Sequence, residues 1–143
     1  MSSINNLAID LCEIGELEES EALFRELVAG RQQVLEAEDF DIGRALGGLA
    51  KTLEAAGKLE EAFKYSQQAF NHHLEHQGTD NWHTNRKRLD LARVLHKLVR
   101  FKETSSQLDE LEGSMGANPD PDDEDRALLA DAAALRELLD PSS

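Results

Sequence analysis

Three histidines stand close together in this chain, His72, His73 and His76, and one cysteine, Cys12, stands far from them. His72 and His76 are one helical turn apart, a spacing that suits chelation. A zinc-protease helix needs a glutamate directly after its first histidine, whereas here Glu75 precedes His76 and no third ligand is in view. The cluster reads as the polar end of a helix and implies no metal. Cys12 and five scattered histidines form no nucleophile–base pair by sequence position, so Cys12 reads as an inert thiol. The chain has neither a phosphate-cradling glycine loop nor a serine-centred elbow. These residue types imply no catalytic residue and no cofactor, and the expectation is a chain that is not an enzyme.

The cations show a pattern of their own. Arg44 and Arg86 are 42 residues apart, as are Lys51 and Arg93, and Lys97 lies one helical turn beyond Arg93. The formal net charge is -14, yet residues 86–102 carry seven cations against Asp90 alone, a net of +6. A strongly acidic chain repels phosphate, so nucleic acid is not expected as a partner. A local basic surface on an acidic protein suits an acidic ligand held by charge-assisted bonds. The competing expectation is that these cations are paired within the chain, with Glu54, Asp90 or the acidic run at 120–125.

Composition bounds the rest. Leu, Ala and Glu dominate the 143 residues, and aromatics make up only 5%, which favours helix over sheet. A single cysteine excludes an internal disulfide and suits a reducing compartment. No apolar run approaches the roughly 20 residues of a membrane span. Met1-Ser2-Ser3-Ile4-Asn5-Asn6 lacks the basic start and apolar block of a signal peptide. The expected setting is cytoplasmic, without a membrane partner.

The elements that must position these residues follow from a repeat. Leu49-Ala50, Leu53, Gly57, Leu59, Glu60 and Glu61 recur 42 residues earlier as Leu7-Ala8, Leu11, Gly15, Leu17, Glu18 and Glu19. Leu91-Ala92, Leu95, Phe101 and Glu103 continue the pattern 42 residues later. Each copy predicts two helices joined at a tight turn, a pair that must stack on a neighbour to bury its apolar face. The pairs span about 3–37, 42–77 and 81–115. Leu7, Leu11 and Ile14 are expected on one buried face, Asp41 as the cap of the third helix, and Phe40 and Trp82 as aromatic plugs at the corners between pairs. Gly47 and Gly48 are expected to leave the surface beside the cations open. The third pair is degenerate, with Val99 in the place of Gly15 and Gly57, and Thr104 where a small residue is usual. A linker at 113–122 leads to a capping helix at 123–139, whose acidic start suits a helix N-terminus and whose Leu128, Ala132, Leu135 and Leu139 make one apolar stripe. The fold class expected is all-α: an α-solenoid of three helix pairs and a capping helix in a single domain, 1–143.

The series Asn6-Leu7-Ala8, Leu11, Gly15, Leu17-Glu18-Glu19-Ser20, Phe24 and Leu27 resembles the tetratricopeptide repeat, as does Gly48-Leu49-Ala50, Leu53, Gly57 and Leu59-Glu60-Glu61-Ala62. The 42-residue period exceeds the usual length of about 34 and is similar to the kinesin-light-chain type. Glu38-Asp39-Phe40-Asp41 and Asp80-Asn81-Trp82-His83 stand where that type has its connecting segment. The C-terminal stretch is similar to the ends of arrays in bacterial multidomain proteins, some of them fused to serine/threonine kinase domains. The resemblance implies a non-catalytic module that binds a protein or peptide through a concave surface lined by the first helix of each pair. It implies candidate groove residues Asn5, Asn6, Arg44, Lys51, Arg86, Arg93 and Lys97. The paired amides of the family stand here only as Asn5-Asn6, with Gly47-Gly48 and Leu89-Asp90 in the matching places. The family's carboxylate clamp for chaperone tails maps onto Asn5, Ile9, Gly48, Arg86 and Asp90, of which only Arg86 fits, so such tails are not expected. Two alternatives stand beside the adaptor reading. One is a regulatory segment of a larger bacterial enzyme. The other is a self-assembly module that associates through the uncapped first helix.

Overall fold

The computed structural model describes the backbone of residues 2–33 and 39–139, and the side chains of 6–29 and 43–139. Among the described residues there are seven α-helices and no strand: α1 (Ser2–Glu13), α2 (Leu17–Gln33), α3 (Asp39–Ala55), α4 (Leu59–Gln77), α5 (Trp82–Lys97), α6 (Phe101–Gly116) and α7 (Asp123–Leu139). The chain divides into two units, Met1–His72 and His73–Ser143, with the boundary inside α4.

The turn between the helices of a pair is built the same way three times. Gly15, Gly57 and Val99 have φ of 91°, 80° and 63°, in the left-handed region. Each donates its N–H to the carbonyl three residues back: Cys12 at 3.2 Å, Glu54 at 3.1 Å and His96 at 3.0 Å. The next residue donates five back, Glu16 to Leu11 at 2.8 Å, Lys58 to Leu53 at 2.9 Å and Arg100 to Leu95 at 2.9 Å. This double closure satisfies carbonyls that a helix end would leave open. The carbonyls of Glu16, Lys58 and Arg100 then accept the N–H groups of Ser20, Ala62 and Thr104, opening the second helix. The third pair, degenerate by sequence, therefore keeps the turn geometry with a β-branched residue in a conformation that favours glycine.

Small residues set how closely the helices of a pair approach. Ala8, Ala50 and Ala92 are buried, and so are Ser20, Ala62 and Thr104 in the second helices. The Ser20 hydroxyl donates to the Ala8 carbonyl at 2.7 Å and lies 3.1 Å from the Thr52 hydroxyl, which donates to the Gly48 carbonyl at 2.9 Å. The polar atoms at this buried junction thus satisfy one another. A Cβ at Gly48 would run into the Phe24 ring, and Phe24 is fully buried. Gly48 does not leave an open surface, as its sequence position suggested; it is the place where the α2 ring closes on α3.

Unit two has a core of Leu89 and Ala92 from α5, Leu108, Leu111 and Met115 from α6, and Leu128, Ala132 and Leu135 from α7, with Trp82 and Leu139 packed against it. The stripe expected on α7 is the face that packs on α5 and α6. The Trp82 indole donates to the Glu124 carbonyl at 3.1 Å, and Arg136 reaches Asp109 at 2.7 Å, so polar contacts fasten both ends of α7. Asp122 and Asp125 cap α7 reciprocally: the Asp122 carboxylate accepts the Asp125 N–H at 2.8 Å and the Asp125 carboxylate the Asp122 N–H at 3.1 Å. Asn81 caps α5, accepting the His83 N–H at 2.8 Å.

Several expectations are corrected. α6 continues through Gly113 to Gly116, so the connection before α7 is shorter than 113–122. α3 begins at Asp39, which puts Asp41 inside its first turn rather than at its cap. Leu7 is 52% exposed and Ile14 74%; among the described side chains of α1, Ala8 turns fully inward. The Phe40 side chain lies outside the described residues, so of the two expected aromatic plugs only Trp82 is described.

Two substitutions test these packing statements. Relieving the left-handed strain at Val99, about 1–2 kcal/mol, outweighs the added chain entropy of a glycine, about 0.5–1 kcal/mol. Val99→Gly should therefore raise the melting temperature, and an unchanged or lower value would mean that the Val99 side chain makes contacts worth more than the strain. In an open helix Gly→Ala stabilises by about 1 kcal/mol, whereas overpacking costs about 1–3 kcal/mol. Gly48→Ala should destabilise in urea titration, with Phe24→Leu in the same chain recovering part of the loss.

Candidate partner-binding surfaces

A spacing of seven residues returns a side chain to nearly the same helix face after two turns. Arg44 and Lys51 are related in this way on α3, and Arg86 and Arg93 on α5. In unit one, Arg44 is half-buried and donates to the Asn6 amide oxygen at 3.3 Å. Lys51 is exposed. Asn5 lies in α1, and its side chain is outside the described residues. The structure thus brings Arg44 and Asn6 together.

In unit two, Arg86 and Arg93 converge on two carboxylates. Arg86 lies 3.7 Å from Asp90 and 3.4 Å from Asp131, and Arg93 lies 3.9 Å and 4.0 Å from the same pair. Lys87 joins Asp90 at 3.9 Å. Asp90 is buried, and its Oδ2 atom accepts no hydrogen bond. Three cations therefore share these two carboxylates at long ion-pair distances. Sequence reasoning named Asp90 as a competitor and missed Asp131. The signal was present: Asp131 follows the buried Leu128 by three residues, which puts it on the rim of the face that α7 turns to α5. The acidic run before it is occupied otherwise, in the α7 cap and in a 3.4 Å pair between Asp123 and Arg126. Lys97 is exposed near the end of α5.

Arg88, counted with the basic block by sequence, is turned inward. It is 8% exposed and donates to the Gln107 side chain at 2.9 Å. Burial pulls its pKa below the usual value, opposed by the Glu110 charge. The histidines also separate by role. His73 is buried, with Nδ1 2.7 Å from the Gln77 side-chain oxygen and its carbonyl accepting the Thr84 hydroxyl at 3.1 Å, while His76 is exposed. No group of three or more metal-ligating side chains gathers among the described residues. Cys12 is a free thiol of intermediate exposure.

The sequence model of the tetratricopeptide repeat matches residues 1–74, more than half of the chain. The chain is a member of the tetratricopeptide repeat family. Its repeats are of the kinesin-light-chain-like type, and its fold is that of the all-α helical-repeat solenoids. Comparison with curated protein sequences gives no match. Among solved structures, a Podosopora anserina kinesin light chain protein of nearly identical tetratricopeptide-like repeats is similar, with a TM-score of 0.78 at 19% identity over 94% of this chain and 66% of that one. BtubC (BKLC) from P. vanneervenii gives a TM-score of 0.77 at 15% identity over 96% of this chain and 54% of that one. PcrH from Pseudomonas aeruginosa gives 0.69 at 17% identity over 96% and 89%, and PcrH is also known in complex with the chaperone binding region of PopD. This tetratricopeptide chain thus spans 66% and 54% of the lengths of the first two relatives. The tetratricopeptide fold supports protein–protein interaction, and no described helix is long and apolar enough to cross a membrane.

One charge cluster lies apart from these cations and helps to hold unit one together. Glu21 of α2 accepts Lys58 at 2.9 Å and Arg25 at 2.9 Å, and Arg25 also reaches Glu61 of α4 at 2.6 Å. The Lys58 ammonium, and after it the Arg25 guanidinium, hold the Glu21 carboxyl below its usual value against the opposing effect of burial. A depressed carboxyl pKa contributes stability above the unfolded-chain value and loses it as pH falls through the folded one. Glu21→Gln should lower the melting temperature at about pH 7, and the loss should shrink as pH falls through the folded carboxyl value. A loss that does not change with pH would assign the effect to packing.

Proposed function

We propose that this tetratricopeptide chain is a non-catalytic adaptor that binds a protein or peptide partner, and that the segment it recognises carries carboxylates. Family membership supports the adaptor role. So does the likeness to PcrH, a protein known in complex with a segment of its partner. The observation that carries the acidic preference is the loose pairing of Arg86 and Arg93 with Asp90 and Asp131. At 3.4–4.0 Å these pairs are looser than a bidentate arginine–carboxylate bond, so a ligand carboxylate can compete for Arg86 and Arg93. Lys51, Arg44 and Asn6 are the corresponding candidates in unit one, and Lys97 is a further candidate on α5. A cytoplasmic setting suits the single thiol, Cys12.

A second reading, self-association, is favoured by the exposure of Leu7. Its repeat counterpart Leu49 is fully buried, so α1 presents an apolar side chain where α3 covers one.

Fluorescence anisotropy with labelled Asp/Glu-rich peptides tests the acidic preference. Binding should weaken with added salt, and Arg93→Glu or Lys51→Glu should slow association while changing stability by only about 0–1 kcal/mol, as for exposed ion pairs. If Arg93→Glu lowers the melting temperature and leaves association untouched, the arginine serves the fold alone and the acidic reading fails.

A further inference from the structure

The outer two helix turns share one backbone geometry and carry opposite charge. In the first turn, between α1 and α2, Glu13, Glu16 and Glu18 are exposed around Ile14, which is 74% exposed. In the third, between α5 and α6, the residues exactly one double period later, 84 positions on, are Lys97, Arg100 and Lys102. They surround Val99, 68% exposed, and Phe101, 47% exposed. Three glutamates are thus replaced, position for position, by three cations; Arg100 pairs with Glu103 at 2.7 Å, and the three cations still outnumber that one carboxylate. The middle turn has Ala56 and Gly57 at its tip and, among the described residues, no exposed large hydrophobic side chain. Among the described residues, the five exposed large hydrophobic side chains include Ile14, Val99 and Phe101, all at these two tips. Val99 also holds a left-handed conformation that a glycine would adopt without strain, as Gly15 and Gly57 do in the other two turns.

From this complementarity we infer that a second copy of this chain is a partner. The acidic tip around Ile14 of one copy docks on the basic tip around Val99 and Phe101 of another. The apolar side chains supply the centre of the contact, and the opposed charges form its rim and set which tip meets which. Because the two tips differ, the contact is heterologous: each copy offers one acceptor and one donor surface, and association extends or closes according to geometry. The contact also depends on salt, since the screening length falls from about 30 Å at 0.01 M to about 3 Å at 1 M. The inference shares with the adaptor reading only the premise that the chain binds protein. A chain that self-associates without binding carboxylate peptides keeps this inference and loses that reading, and the reverse result does the opposite.

Sedimentation equilibrium with charge-swapped variants tests it. Wild type should exceed the 15.9 kDa monomer mass as concentration rises at low salt, and return to it at high salt. Glu13→Lys with Glu16→Lys and Glu18→Lys makes both tips basic, and Lys97→Glu with Arg100→Glu and Lys102→Glu makes both acidic. Each triple variant should be monomeric, and an equimolar mixture of the two should associate again. The backbone tolerates these exchanges, because a cation already stands at the matching positions of the third turn and a glutamate at those of the first. A thermal melt of each variant checks that it folds. Phe101→Ser, which leaves every charge in place, should weaken wild-type association at least fivefold. A monomeric wild type at low salt, variants that associate as wild type does, or a mixture that stays monomeric would each overturn the inference.

Discussion

The structure depends on a backbone constraint at three residues. A second helix can fold back on the first only if the chain reverses within two residues, and the left-handed conformation at Gly15, Gly57 and Val99 achieves this. The hydrogen bonds of that reversal involve the residue after it twice: its N–H closes the first helix, and its carbonyl opens the second. Orientation is therefore set before any side chain packs. The small residues at Ala8 and Ser20, and at their counterparts, then decide the distance between the helices. Polar atoms trapped at that distance must bond locally, as the Ser20 and Thr52 hydroxyls do.

Within this frame, charge has two different tasks. The pair of Arg25 with Glu61 links α2 to α4, and that of Arg136 with Asp109 links α7 to α6; such half-exposed pairs add geometry more than energy. Around Asp90 the distances are longer, and the acidic preference proposed above rests on that looseness. A net charge of -14 does not forbid this, because a potential screened within about 8 Å is set by its nearest charges rather than by their total.

The strain at Val99 is a local cost that the fold does not require, since Gly15 and Gly57 make the same turn without it. Its side chain is exposed, so core packing gives no reason for it either. Residues kept in unfavourable conformations tend to serve contacts rather than stability, and this one sits among the cations of the third turn. In the first turn the same scaffold carries glutamates. A repeat protein can thus vary the chemistry of its turns independently of the fold, because the turn's hydrogen bonds use only the backbone.

Much was legible in the amino-acid sequence because it is local. The 42-residue period, the turns at Gly15 and Gly57, the bounds of α4 and α7 and the apolar stripe from Leu128 to Leu139 follow from spacing, backbone preference and helical periodicity. These properties belong to a segment and its near neighbours. Other features were decided by helices distant in sequence. Gly48 looked like open space until the Phe24 ring was seen to close on it. Arg88 looked like surface charge until α6 covered it with Gln107. Leu7 fitted a buried stripe, but burial needs a covering element, and among the described residues its side chain stays half exposed. Asp131 met Arg86 and Arg93 only because α7 packs back on α5. Periodicity determines which residues share a face; tertiary packing determines whether that face is covered, and by what.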